Sequence, residues 1–153
     1  MTINPIKIFN LGFRFLTKNH EKIRTIKIIF LSAWYRFRIL TTPMSKIEKK
    51  MGIRGEESAD ELEIEIQKEA LRIGRRVEHT ARLTPWTSNC FVKALTTSKL
   101  LKEKKISHTI YFGVGNENDK MVAHAWVRSG KIYITGGNGK EYSMVAKFAN
   151  HCS

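Results

Sequence analysis

Residues 88–137 read SNCFVKALTTSKLLKEKKISHTIYFGVGNENDKMVAHAWVRSGKIYITGG. The first part keeps a helical period in Phe91, Ala94, Leu95, Leu100 and Leu101, with Cys90 in its first turn. Ser88 or Asn89 can cap that helix by accepting from its free backbone N–H groups. After Lys105 the pattern changes. Residues 108–115 and 121–128 are rich in β-branched and aromatic side chains, as strands are. Gly-Asn-Glu-Asn-Asp, residues 115–119, reads as the turn between them, and Ser129-Gly130 as a turn into a third strand over 131–135. A helix followed by consecutive strands predicts an α+β fold, an antiparallel sheet packed on the cysteine helix. Cys90 then sits at a helix start and His124 within the sheet.

That pairing has a chemical meaning. A thiol becomes a good nucleophile once ionised, and a helix N-terminus and a nearby imidazole both favour the thiolate. The imidazole in turn needs a third group to orient it. Spacing alone favours a Cys90 that is a small buried hydrophobe and a His124 that is a satisfied strand histidine.

The flanking residues carry more. S-N-C-F-V-K-A-L, then L-L-K-E-K-K-I, I-Y-F-G-V-G, A-H-A-W-V-R-S-G-K and V-A-K-F-A form a series that resembles the leader peptidases of lasso-peptide biosynthesis. These are transglutaminase-like cysteine proteases, often separate from the small domain that binds the leader. The resemblance is close over about residues 85 to 149, and A-H-A-W is its most specific element. It implies that Cys90 is the nucleophile and His124 the general base. It further implies removal of a leader from a ribosomally made precursor, with a threonine favoured just before the last leader residue. The implied partners are the precursor leader, a small leader-binding recognition protein and an ATP-dependent macrolactam-forming cyclase.

One position departs from the family pattern. Many members place an Asp about a dozen residues after the histidine, where this chain has Ile134-Thr135-Gly136-Gly137-Asn138. Asn138 could orient the imidazole through its side-chain carbonyl. Thr135 or a backbone carbonyl could do so instead.

The rest of the chain frames this stretch. A chain of 153 residues suits one core. Two cysteines, Cys90 and Cys152, are too few for a disulfide framework. With no secretion signal legible, a cytoplasmic setting is expected. Cys152, next to the end, is expected to be frayed.

The net charge of +13 is uneven: residues 1–50 hold seven Lys and four Arg against two Glu, leaving +9. They are read as a basic, apolar, helical N-terminal wing, with helices over 7–16 and 21–40, and residues 51–153 as the transglutaminase-like peptidase core. The charge-free run 28–35 is far short of the about 20 residues that span a bilayer. Three roles compete for the wing: covering the core with Lys and Arg stems over apolar surface, peripheral contact with anionic membrane, or binding nucleic acid. The large aliphatics among the basic residues, and the lack of a nucleic-acid motif, rank nucleic acid last.

Ser58-Ala59-Asp60-Glu61 reads as a capping box opening a helix to about residue 80 or 83. Thr84-Pro85-Trp86-Thr87 leads into the cysteine helix. The resemblance implies that this segment lines the cleft, which makes Trp86 a candidate cleft wall and the backbone N–H groups around Asn89 and Cys90 a candidate oxyanion hole. Residues 141–148 suggest a fourth strand. The five histidines lack metal-ligand spacing with the cysteines, so no metal or cofactor is expected. Two other functions use the same residues: acyl transfer by the same Cys-His frame, and a non-catalytic scaffold that binds membrane or an acidic partner.

Overall fold

The computed structural model describes residues 20–152. Helix α1 (His20–Thr41) is followed by the short α2 (Met44–Glu48) and a two-residue strand β1 (Ile53–Arg54). Helices α3 (Ile64–Ala81) and α4 (Cys90–Glu103) come next, then strands β2 (His108–Glu117), β3 (Lys120–Ser129), β4 (Ile132–Thr135) and β5 (Ser143–Asn150). The α+β expectation holds. The helix expected over residues 7–16 lies outside the described residues.

The sheet has the order β1-β5-β2-β3-β4 and is antiparallel throughout. Its centre is the β2–β3 hairpin, in register from Thr109↔Arg128 to Glu117↔Lys120. The hairpin turn is tighter than the five residues expected. Only Asn118 and Asp119 lie outside the strands, with φ of 51° and 61°. Two left-handed residues in a two-residue loop match the right-handed twist of the strands, and Asn and Asp tolerate that conformation.

Side-chain alternation gives the sheet two distinct faces. Ile110, Ala125, Val127 and Phe148 join Ala94, Leu95 and Leu101 of α4 in one buried cluster, with Phe112 packed against it. The alternate residues Tyr111, Gly113, His124, Trp126 and Arg128 belong to the other face. Helix α3 crosses β4 closely: a Cβ at Gly74 would lie 2.4 Å from the Ile134 carbonyl oxygen, so only glycine fits. Helix α1 closes the helical layer by packing on α3 and α4, with Ile28 and Ser32 buried.

The capping box at Ser58 is not used, which corrects the expected start of this helix. Helix α3 begins at Ile64, and its N-cap Glu63 makes no side-chain cap bond. Ser58 is instead buried, and both its N–H (2.8 Å) and its hydroxyl (2.9 Å) meet the Thr109 hydroxyl on β2. Arg128 supplies the competing force. Its buried guanidinium donates to Asp60, Glu57 and the Ser58 carbonyl while Nε donates to the Tyr111 hydroxyl at 2.8 Å. A buried cation needs several acceptors, and these draw residues 57–60 onto the sheet and away from helix. The chain end is also pinned, against expectation: the Cys152 N–H donates to Ser107 Oγ at 2.9 Å, and that hydroxyl donates back to the Cys152 carbonyl.

Candidate active site

Helix α4 starts where the sequence places it, and its cap is Asn89. The Asn89 side chain accepts from the Val92 N–H at 3.0 Å. Ser88 is engaged elsewhere, with the Thr84 hydroxyl at 2.9 Å, and that hydroxyl also lies within bonding distance of the Ala81 carbonyl at the end of α3 and the Trp86 carbonyl in the loop. This knot fixes the Thr84–Ser88 approach to the helix. Cys90 is thereby the first helical residue, half-buried and with a free thiol. The backbone N–H groups of Cys90 and Phe91 have no partner among the described residues, as expected of a first turn. The Asn89 side chain is committed to the cap, so an oxyanion would be met by backbone. Trp86 is half-buried beside this loop, and its indole N–H is buried without a partner among the described residues. Phe91 anchors the helix start on the sheet, edge-on to Phe112 at 5.0 Å.

His124 lies on β3 opposite Gly113. Its Nε2 is 2.6 Å from the Gly136 carbonyl oxygen. A carbonyl only accepts, so Nε2 carries the proton and Nδ1 of the neutral ring presents its lone pair. The expectation for Asn138 is corrected here. Asn138 is exposed and its Oδ1 accepts from the Lys140 N–H at 3.1 Å, closing a local turn of its own. Thr135 is buried and its hydroxyl has no partner among the described residues. The group that holds the His124 ring is therefore the Gly136 backbone carbonyl.

Gly136 can occupy this place because it is glycine: its φ is +78°, and a Cβ would lie 2.4 Å from the Ala125 carbonyl oxygen. A main-chain acceptor leaves no side-chain signature in the sequence.

An aromatic cluster surrounds the ring, and the sequence reading missed it. Tyr142 stacks on His124 with centroids 4.4 Å apart and planes at 20°. Trp126 lies 6.0 Å from the imidazole and stacks in turn on Tyr111 at 5.5 Å. Gly113 and Gly115 make room for this layer, since a Cβ on either would lie within 3 Å of the Trp126 or Tyr142 side chain.

Cys90 and His124 are not hydrogen-bonded to each other among the described residues. Helix α4 covers one face of β3, while His124 alternates to the other. Strand β4 pairs with β3 only from Val127 to Ser129, so it leaves the β3 edge beside His124 unpaired.

A cysteine on a capped helix start, followed by a histidine on the next hairpin, is the order of papain-like and transglutaminase-like enzymes. The sequence matches the transglutaminase-like superfamily over residues 33–149. The chain belongs to that superfamily. Its members are commonly cysteine proteases or acyltransferases. The match begins inside α1 and ends in β5, one residue short of that strand's end, so it takes in β1 to β4, nearly all of β5, and helices α3 and α4. No curated protein and no solved structure gives a significant match. Among the described residues no helix is long and apolar enough to cross a membrane, and no group of three or more His, Cys, Asp or Glu is arranged to hold a metal ion.

Proposed function

We propose that this protein is a cysteine endopeptidase that removes the leader from a ribosomally made lasso-peptide precursor before macrolactam cyclisation. The observation that carries the reading is the pair of preorganised ends: Cys90 opening the Asn89-capped helix, and His124 held with Nδ1 as its basic nitrogen. In this mechanism Nδ1 takes the Cys90 proton as the thiolate attacks the scissile carbonyl. The backbone N–H groups of the first turn of α4 receive the developing oxyanion. The imidazolium then protonates the leaving amine, and water releases the acyl-enzyme by the same steps in reverse order. The helix N-terminus stabilises the thiolate through its partial positive charge.

The substrate assignment rests on the resemblance of the Cys90, A-H-A-W and V-A-K-F-A segments to leader peptidases. It carries with it the two proposed partners, a small leader-binding protein and an ATP-dependent cyclase. Cleavage of a precursor peptide, read by mass spectrometry with the leader-binding protein present, tests the reading. Two fragments are expected from wild type. Cys90→Ala and His124→Ala should each lose about four orders of magnitude in rate while keeping wild-type circular dichroism. Folded Cys90→Ala protein cutting at the wild-type rate overturns the mechanism. An amide adduct in place of a free carboxylate would assign the same frame to acyl transfer.

A further inference from the structure

Helix α1 is apolar on two opposite sides, and the fold uses one of them. Ile28, Tyr35 and Ile39 face the core. On the other side Ile23, Ile26, Phe30, Trp34 and Phe37 are exposed, at spacings of three and four that put them on one line down the helix. Phe30 is 69% exposed, Trp34 55% and Phe37 57%. From Ile23 to Phe37 the stripe runs about 21 Å at the rise of an α-helix. A shallow apolar groove passes between Phe30, Leu31, Ala33, Trp34 and Phe37. Large apolar stripes of this kind on a folded surface mark a place of contact.

The borders of the stripe say what kind of contact. On a helical wheel Lys22 and Arg36 fall on one flank, and Lys27 and Arg38 on the other. Arg38 also lies over the Trp34 ring, 5.9 Å from its centre. The helix carries five Lys and Arg against the single acid Glu21, and Glu21 points back to the body, where it pairs with Arg76. Lys27 pairs with Glu103 and keeps its stem beside the stripe.

We propose that this outward face of α1 seats the protein on an anionic lipid surface. The helix would lie in the plane of the interface, Phe30, Trp34 and Phe37 among the acyl chains and the arginines among the headgroups. Tryptophan and phenylalanine flanked by basic side chains are suited to that boundary. A second copy of the chain would set one basic helix against another, which like charge opposes. A bilayer offers an apolar depth and a negative surface together, and a convex helix face needs no matching groove. The inference is independent of the peptidase reading.

Flotation of the full chain with vesicles tests it. Vesicles of phosphatidylcholine mixed with phosphatidylglycerol should carry the protein upward, and vesicles of phosphatidylcholine alone should carry far less. Phe30→Ser with Trp34→Ser should cut partitioning at least about tenfold, and both positions are exposed enough for the fold to persist, as circular dichroism would check. Arg36→Glu with Arg38→Glu should erase the preference for anionic lipid. Three results would overturn the proposal: wild type that stays below the vesicles, a Phe30→Ser/Trp34→Ser protein that floats as well as wild type, or a dimer dissolved by that same variant in a protein that binds no vesicle.

Discussion

His108 should make this fold acid-sensitive well above the range in which carboxylates titrate. The side chain is fully buried at the start of β2. Its Nδ1 donates to the Ile106 carbonyl at 2.8 Å, so its Nε2 accepts from the Ser98 hydroxyl at 2.7 Å. Both bonds suit the neutral ring. Burial pushes the pKa down from 6.5 to about 4, against the partial opposition of the Ile106 bond. The sign follows from linkage. Between the folded and unfolded pKa values the unfolded chain binds the extra proton, so stability rises with pH through that window and falls as pH drops from about 6.5 towards 4. At pH 5 the loss relative to pH 7 comes to about 2 kcal/mol, and it saturates near 3 kcal/mol below the folded pKa. Urea unfolding of wild type and His108→Gln at pH 7 and pH 5 measures it. The variant is expected to be less stable at pH 7, because Ser98 and Ile106 lose their shaped partner, yet to show a pH dependence flatter by about 2 kcal/mol. The other histidines and the carboxylates cancel in the comparison. Equal pH slopes in the two proteins would refute a neutral, buried His108.

Two further outcomes follow from the site. Asn138→Ala should leave turnover within about twofold of wild type, because its side chain serves the Lys140 N–H; a steady-state assay on the precursor reads this. Gly136→Ala should lower turnover about tenfold or more by displacing the carbonyl that holds His124. Gly137→Ala is its control: that residue has a similar φ of +72° with open space around it, so it carries the backbone strain without the collision. Equal losses in the two would remove the Gly136 carbonyl from the mechanism. Asn89→Ala should cost about 1 kcal/mol in thermal or urea unfolding and slow alkylation of Cys90 by iodoacetamide; an unchanged alkylation rate would show that the cap does not position the thiol.

The parts of the fold that were legible in the sequence are those governed by local chemistry. Asn89 accepts from the N–H three residues on, the change of period after Lys105 marks the passage from α4 to β2, and the alternation of Ala123, Ala125 and Val127 against His124 and Trp126 is the alternation of the hairpin. What the sequence hid depends on distant partners. Ser58 carries a good capping signal, but it competes with Thr109 and with the acceptors that Arg128 recruits, and the buried cation prevails. Strand β1 is two residues long and exists because β5 offers it an edge at Ala149 and Phe148. Tyr142 looked like part of a strand; its N–H instead closes a turn onto the Gly139 carbonyl at 3.0 Å, which brings its ring over His124.

The missing carboxylate after His124 takes on a definite meaning once the acceptor is known. A third group has two separable tasks: to choose the tautomer, and to stabilise the charged ring. The Gly136 carbonyl performs the first as surely as a carboxylate would, because it too can only accept. It brings no full negative charge to the second. What the ring has instead is the face of Tyr142 at 4.4 Å, and an aromatic face attracts a cation. In the proposed mechanism the thiolate draws its stabilisation from α4, whose N–H groups at Cys90 and Phe91, unpartnered among the described residues, point the same way as the helix dipole. In that mechanism charge stabilisation is divided between the start of α4, for the thiolate, and the aromatic stack, for the ring. The glycines at 113, 115 and 136 are what permit the second half of that division, because a Cβ at any of them would occupy the space that the stack or the acceptor needs.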